Sequence, residues 1–205
     1  MELKEVIEKR RTIREFQDKE IPEAIIDYAI KNGFKAPTYN HLREWEFIVL
    51  KSMESKLKLI DSENLDKEIS ISELEKAFGN EEEIMKEMYL DAIPKQKKMI
   101  LSAPAVIIVV FKPKTLVEKA KTIYDLNCLA SVWTCIENVL LSLAEHDVFG
   151  VTFIPQNNHS VKEKLGIPLE LEIAAIIPIG YKAESARILK QKPIDIRERI
   201  HKERW

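Results

Sequence analysis

Apolar residues gather along this chain into four short runs, set among stretches with helical spacing. Leu3, Val6 and Ile7 fall on one side of a helix that runs into Lys9, Arg10, Arg11 and Arg14, with a turn expected at Gln17-Asp18. Pro22 stands where a second helix begins, Ile25, Ile26, Ala29 and Ile30 form its apolar face, and Asn32-Gly33 ends it. A polar loop over 36–44 leads into a short strand at 47–50. Residues 104–111 read PAVIIVVF, a continuous and mostly β-branched run of the kind found in a strand covered on both faces, so this strand is expected at the centre of a sheet. Two more strands are predicted at 148–154 and 173–179. Between the second and third strands, residues 125–146 are apolar on nearly all sides and long enough to cross a domain, which makes them the expected central helix.

Two stretches break this pattern. On the central helix the polar and small residues Asn127, Ser131, Thr134, Asn138, Ser142 and Glu145 recur at steps of three and four, a seam suited to close helix packing. Its partner is either an identical helix across a two-fold axis or another helix of the same chain. Residues 54–98 carry 12 acids and 8 bases with only intermittent apolar positions, and they are predicted to be a helical excursion with pieces at 71–78 and 82–93. Such an excursion serves as a mobile lid or as a solvated hairpin with no part in binding.

With 205 residues the chain fits a single domain, 1–205, which buries roughly 70% of the surface its unfolded form exposes and needs no disulfide or metal staple. The two cysteines, Cys128 and Cys135, lie about 10 Å apart on a helix and cannot be bridged to each other, so they read as buried reduced thiols. A formal net charge of -2 gives no basic surplus for nucleic acid. The N-terminal residues MELKEVIEKRRTIREF lack the apolar segment of an export signal, and the apolar run at 103–111 is about half of the ~20 residues that span a bilayer. The expectation is a cytoplasmic protein with neither nucleic acid nor membrane as partner.

Most catalytic signatures do not occur in the sequence. There is no G-x-G-x-x-G, no P-loop, no G-x-S-x-G and no His/Cys spacing suited to zinc, so an enzyme built on this chain relies on an organic cofactor. The positive signal is Arg10-Arg11-Thr12-Ile13-Arg14, where three guanidiniums and a hydroxyl within five residues can receive a phosphate and a polar ring edge. Basic residues at a helix C-terminus also complement its dipole, and the cluster alone does not separate the two readings.

The cluster K-R-R-T-I-R-E-F is followed by A-P-T-Y-N-H-L-R-E-W-E-F-I-V-L over 36–50, the Asn138-bearing helix, I-P-I-G-Y-K over 177–182 and K-Q-K-P-I over 190–194. In order and spacing these segments resemble the nitroreductase family of FMN-dependent, NAD(P)H-using reductases. The resemblance covers most of the chain outside 54–98. It implies an α+β sandwich, a mixed and mostly antiparallel sheet wrapped by helices, assembled as a homodimer with FMN at the interface and a C-terminal arm exchanged between subunits. Carried across residue by residue, Arg10, Arg11, Thr12 and Arg14 match the segment that holds the flavin's phosphate, ribityl chain and pyrimidine edge. Thr38, Tyr39 and His41 match the loop that the partner subunit offers to the same flavin. Ile154, Pro155 and Gln156 match the strand end facing the isoalloxazine, and Lys190 and Lys192 stand near the family's phosphate-binding basic residues.

The chain departs from the family pattern at His41 and at Arg43-Glu44, where Asn and Gln-Pro are usual, at Glu137 in place of Gln, and at Pro155-Gln156 in place of glycines. The flavin pocket is therefore expected in outline, without transfer of substrate preference. The resemblance implies hydride transfer from NAD(P)H through FMN to a nitroaromatic, a quinone or a related electrophile. No side chain need act as acid or base, and Arg14 is the candidate for electrostatic stabilisation of the reduced ring. Three alternatives stand beside this reading: a reductive dehalogenase or flavin-handling enzyme on the same scaffold, a flavin-binding protein without turnover, and a helical interaction protein without a cofactor.

Overall fold

Every residue of β2 (Ala105–Phe111) is buried, as its unbroken apolar run demands. In the computed structural model, which describes residues 2–67 and 69–205, β2 lies between β1 (Trp45–Leu50) and β4 (Glu172–Tyr181). With β3 (Val148–Gly150) beyond β4, the order is β1-β2-β4-β3 and all three pairings are antiparallel. A single parallel contact among the described residues, Thr12 beside Gly150, gives the sheet its mixed character.

Alternation along β2 divides the interior into two cores. Ile107, Val109 and Phe111 pack on α2 (Glu23–Gly33) and α7 (Asn127–Glu145), with Ile26, Val132, Cys135, Val139 and Leu143. Val106, Ile108 and Val110 pack on α3 (Met53–Ser62), α6 (Gln96–Ser102) and α8 (Asn158–Leu165), with Leu59, Ile60, Ile100 and Val161. The result is the expected α+β arrangement of a sheet between helical layers.

Two sequence expectations need correction. The strand predicted over 148–154 ends at Gly150, although Phe153 still bridges Ile176 in the same register. That register puts Val151 opposite Pro178, and the proline has no N–H to give to the ladder. Ile176 uses its N–H toward Phe153, so the Pro178 gap faces the same way and leaves the pairing with β2 intact.

The seam on α7 meets other residues of this chain, one of the two partners its periodicity left open. Asn32 Nδ2 donates to Ser142 Oγ at 3.1 Å, Asn138 Nδ2 to the Asn32 carbonyl at 3.4 Å, and Thr134 Oγ1 to the Pro37 carbonyl at 3.1 Å. Gly33 makes the approach possible, since a Cβ there would stand 2.7 Å from Val139 Cγ2. The opposite face of α7 is covered incompletely: Leu126, Leu129, Trp133 and Leu140 are half-buried and Ala130 is exposed. This apolar face continues onto α1 (Leu3–Lys9), where Leu3 and Ile7 are exposed. By length and composition Ile123–Glu145 exceeds the 103–111 run as a candidate membrane span. In the fold it is the helix on which α1, α2 and the sheet pack.

The excursion is narrower than 54–98. Its two ends, α3 and α6, are core helices that hold Leu59, Ile60, Met99 and Ile100 against the sheet. Polar neighbours obscured them in the sequence because several are themselves buried and satisfied: the Lys56 ammonium donates to the Ala103 carbonyl, and Ser62 Oγ to the Lys58 carbonyl at 2.7 Å. The true excursion is α4 (Ile71–Phe78) with α5 (Glu83–Ala92), where Phe78 and Tyr89 stack at 4.2 Å and the buried Leu74 belongs to neither core. Replacing residues 70–92 by a short Gly/Ser linker is expected to leave a cooperative thermal melt, read by circular dichroism. Removing 54–98 removes Leu59 and Ile60, each worth about 2–5 kcal/mol, and is expected to abolish that melt. A linker variant that fails to fold would put the hairpin in the core.

Candidate functional site

The arginine cluster begins where α1 stops. Arg10 caps the helix in an extended conformation, with φ -57 and ψ 123, and the following residues run along the β3 edge. Ile13 N–H donates to the Gly150 carbonyl at 3.2 Å, Gln17 N–H to the Tyr181 carbonyl at 2.9 Å, and Ala183 N–H to the Glu15 carbonyl at 3.0 Å. Ile13 is fully buried, which turns its neighbours Thr12 and Arg14 to the other side. Only Arg10 adjoins the helix terminus, so dipole complementation does not account for Arg11 and Arg14.

What these residues face is an open cavity of about 790 Å³, within the range of small-molecule and cofactor sites. Arg10, Arg11, Thr12 and Arg14 line one side of it, and Lys190, Gln191 and Lys192 of the C-terminal segment line another. Ile84, Met85 and Met88 of α5, with Ile188 and Leu189, supply apolar wall. Six residues singled out from sequence are thereby brought together: Arg10, Arg11, Thr12, Arg14, Lys190 and Lys192. The donor set of guanidiniums, ammoniums and one hydroxyl suits a dianionic phosphate and an acceptor-rich ring edge.

Carboxylates ring this cationic lining. Arg10 Nε stands 3.6 Å from Glu137, the position where the family usually has Gln. Lys192 reaches Glu82 at 2.8 Å and Arg187 reaches Glu87 at 2.7 Å, both exposed pairs that add little to stability. Arg14 is more enclosed and lies 3.8 Å from Asp91. Burial pulls its pKa below the usual guanidinium value while Asp91 pulls it back, and it remains a cation at any physiological pH.

The other six candidates lie elsewhere in the single chain. Thr38, Tyr39 and His41 occupy a loop at the α7 N-terminal half, where Tyr39 N–H donates to Ser131 Oγ at 2.9 Å. Six helical residues, ~9 Å along the axis, separate Ser131 from the Glu137 that meets Arg10. The Tyr39 hydroxyl donates to that of Tyr124 at 2.7 Å, which raises the Tyr39 pKa above the ordinary phenol value. Asn40, His41 and Arg43 all have positive φ, a concentration of left-handed non-glycine backbone that marks a constrained loop. Ile154 is exposed, Pro155 is buried, and the Gln156 and Asn157 amides donate to the Glu63 carboxylate at 2.7 and 3.0 Å. None of these three residues lines the arginine cavity.

Sequence reasoning missed the α5 contribution. Ile84, Met85 and Met88 at helical spacing and Asp91-Lys95 at i,i+4 carried the signal, hidden within a stretch read mainly for its charge. Cys135 is not a nucleophile, since burial pushes its thiol up to about 12.

A family model, the nitroreductase family, matches residues 7–181. The chain therefore belongs to the nitroreductase family. It is 26% identical over 208 residues to iodotyrosine deiodinase 1 of Pongo abelii, covering 95% of this chain and 66% of that protein. It thus spans just under two thirds of that relative's length. It is 27% identical over 210 residues to a putative NADH dehydrogenase/NAD(P)H nitroreductase of Methanothermobacter thermautotrophicus (strain Delta H), covering 100% of this chain and 88% of the relative. Among solved structures, an oxidised iodotyrosine deiodinase bound to FMN and 3-iodo-L-tyrosine superposes with a TM-score of 0.75 at 20% identity, over 100% of both chains.

Proposed function

We propose that this protein is an FMN-dependent oxidoreductase that takes electrons from NAD(P)H and delivers them to a small electrophilic acceptor, a nitroaromatic or a quinone. The observation that carries the reading is the cavity in which Arg10, Arg11, Thr12 and Arg14 meet Lys190 and Lys192. When bound, FMN supplies the hydride and electron transfer. The protein's part is to bind and orient. Arg10, Arg11, Lys190 and Lys192 neutralise the phosphate, Thr12 offers its hydroxyl to the ribityl chain, and Arg14 provides a fixed cation at the ring edge. Met85 and Met88 offer soft apolar surface that keeps water from the site.

In this proposal the working unit is a homodimer. Support comes from the half-covered apolar face of α7 with Leu3 and Ile7, and from Thr38, Tyr39 and His41, which stand apart from the cavity of their own chain and are free to serve a partner's. Residues 188–192 line the cavity of their own chain, and beyond them Ile194, Ile196 and Ile200 are exposed and form, in this reading, the arm offered to the partner. Ile196 begins a 3-10 turn in the single chain, and in this reading Ile194 and Ile196, spaced by two as in a strand, extend the sheet edge of the partner. A cytoplasmic location is part of the proposal, in keeping with two free cysteines.

A second reading, reductive dehalogenation of a halogenated phenol, is favoured by the similarity to iodotyrosine deiodinase. One experiment covers both. Anaerobic NADH or NADPH is added to the flavin-loaded protein, and a nitroaromatic, a quinone or 3-iodotyrosine is then supplied as oxidant. Bleaching followed by recovery with a nitroaromatic or quinone is the expected result, recovery with 3-iodotyrosine alone transfers the proposal to the dehalogenase, and a flavin that NAD(P)H does not bleach refutes the donor assignment.

A further inference from the structure

The site as described leaves one buried carboxylate without a role. Asp91 follows Met85 and Met88 at steps of three on α5, which puts it on the helix face that lines the arginine cavity. Its side chain is 7% exposed, with Lys95 Nζ at 2.6 Å and the Arg14 guanidinium at 3.8 Å. Lys95 also reaches Glu15 at 3.5 Å. Two cations and two anions therefore form one chain of ion pairs that joins α5 to the arginine segment. Arg14 is itself 14% exposed, so water and salt screen its interaction with Asp91 far less than they screen the exposed Glu82 and Glu87 pairs.

We propose that Asp91 is a positioning residue that aims the Arg14 guanidinium and offsets part of its charge, so that α5 tunes the reduction potential of the bound flavin. The inference rests on the reading of Arg14 as the ring-edge cation. A cation there favours the reduced and more negative ring, and a carboxylate within 4 Å of that cation takes back part of the effect. Lys95 holds Asp91 from the other side and so moderates the offset. Removing the carboxylate and removing Lys95 must then act with opposite signs.

The test measures the two-electron midpoint potential of the FMN-loaded wild type, Asp91→Asn and Lys95→Met by dye equilibration, with thermal melts to verify folding. Asp91→Asn is expected to shift the equilibrium toward reduced flavin about tenfold, ~30 mV more positive, and Lys95→Met to shift it the other way. A purely structural role loosens α5 in both variants and moves both potentials in one direction. Equal-signed shifts, or none, in flavin-loaded variants overturn the role of Asp91 and leave the flavin reading standing. A wild type that takes up no FMN overturns both. Should Asp91→Asn fail to fold, the sign of the Lys95→Met shift decides.

Discussion

A chain carrying Arg10→Ala and Arg14→Ala is expected to fold and to purify without flavin. Each arginine offers charge-assisted donors worth about 1.5–3 kcal/mol, so the pair accounts for two to four decades in FMN Kd. The fold should tolerate the change. Among the described residues the Arg10 side chain has one ion-pair partner, Glu137 at 3.6 Å, and loss of Arg14 leaves Asp91 paired with Lys95. The backbone bonds that fix this segment, from Ile13, Gln17 and Ala183, involve neither side chain. Flavin absorbance per chain is the readout, beside an unchanged melt. Wild-type occupancy in the double variant would contradict the assignment of the cluster.

Truncation before Arg187 is expected to cost the dimer and the flavin together. In the single chain Ile188, Ile194, Ile196, Ile200 and Trp205 are between 52% and 99% exposed. Full burial of such side chains is worth about 1.5–3 kcal/mol each, and half of that over five residues gives about 5 kcal/mol, more than three decades in the dimer Kd. The same cut removes Lys190 and Lys192 from the cavity. Size-exclusion chromatography and flavin absorbance should therefore fall in parallel, whereas the double arginine variant should lose flavin and remain a dimer. A truncated chain that stays a flavin-loaded dimer would falsify arm exchange and leave the tail as an exposed basic segment.

Sequence pattern revealed the sheet because its two central strands are buried on both faces, and Val106 through Val110 leave no other reading. It revealed where α7 packs but not what packs there, since periodicity identifies a face and not its neighbour; Asn32, Gly33 and Pro37 proved to be the answer. Helix α3 stayed hidden because Lys56 and Ser62 are buried polar residues with their own partners. The early end of β3 depends on Pro178, far along the sequence from Val151 and opposite it only after the sheet forms.

At the site, the cationic residues were legible because three arginines and a threonine within five residues stand out by type and spacing. Their arrangement was legible only in part. Arg10–Arg14 and Lys190–Lys192 meet, as the family pattern implies, whereas the α5 residues that complete the cavity carry no motif. Thr38, Tyr39, His41 and Ile154–Gln156 take no part in the single-chain cavity.

The central claim is that the cationic cavity holds FMN. Its most direct test is the absorption spectrum of the purified full chain after incubation with FMN and gel filtration. A flavin band near ~450 nm, close to stoichiometric with the chain, is the expected result. A chain that emerges colourless contradicts the account, and the arginines then form a solvated surface.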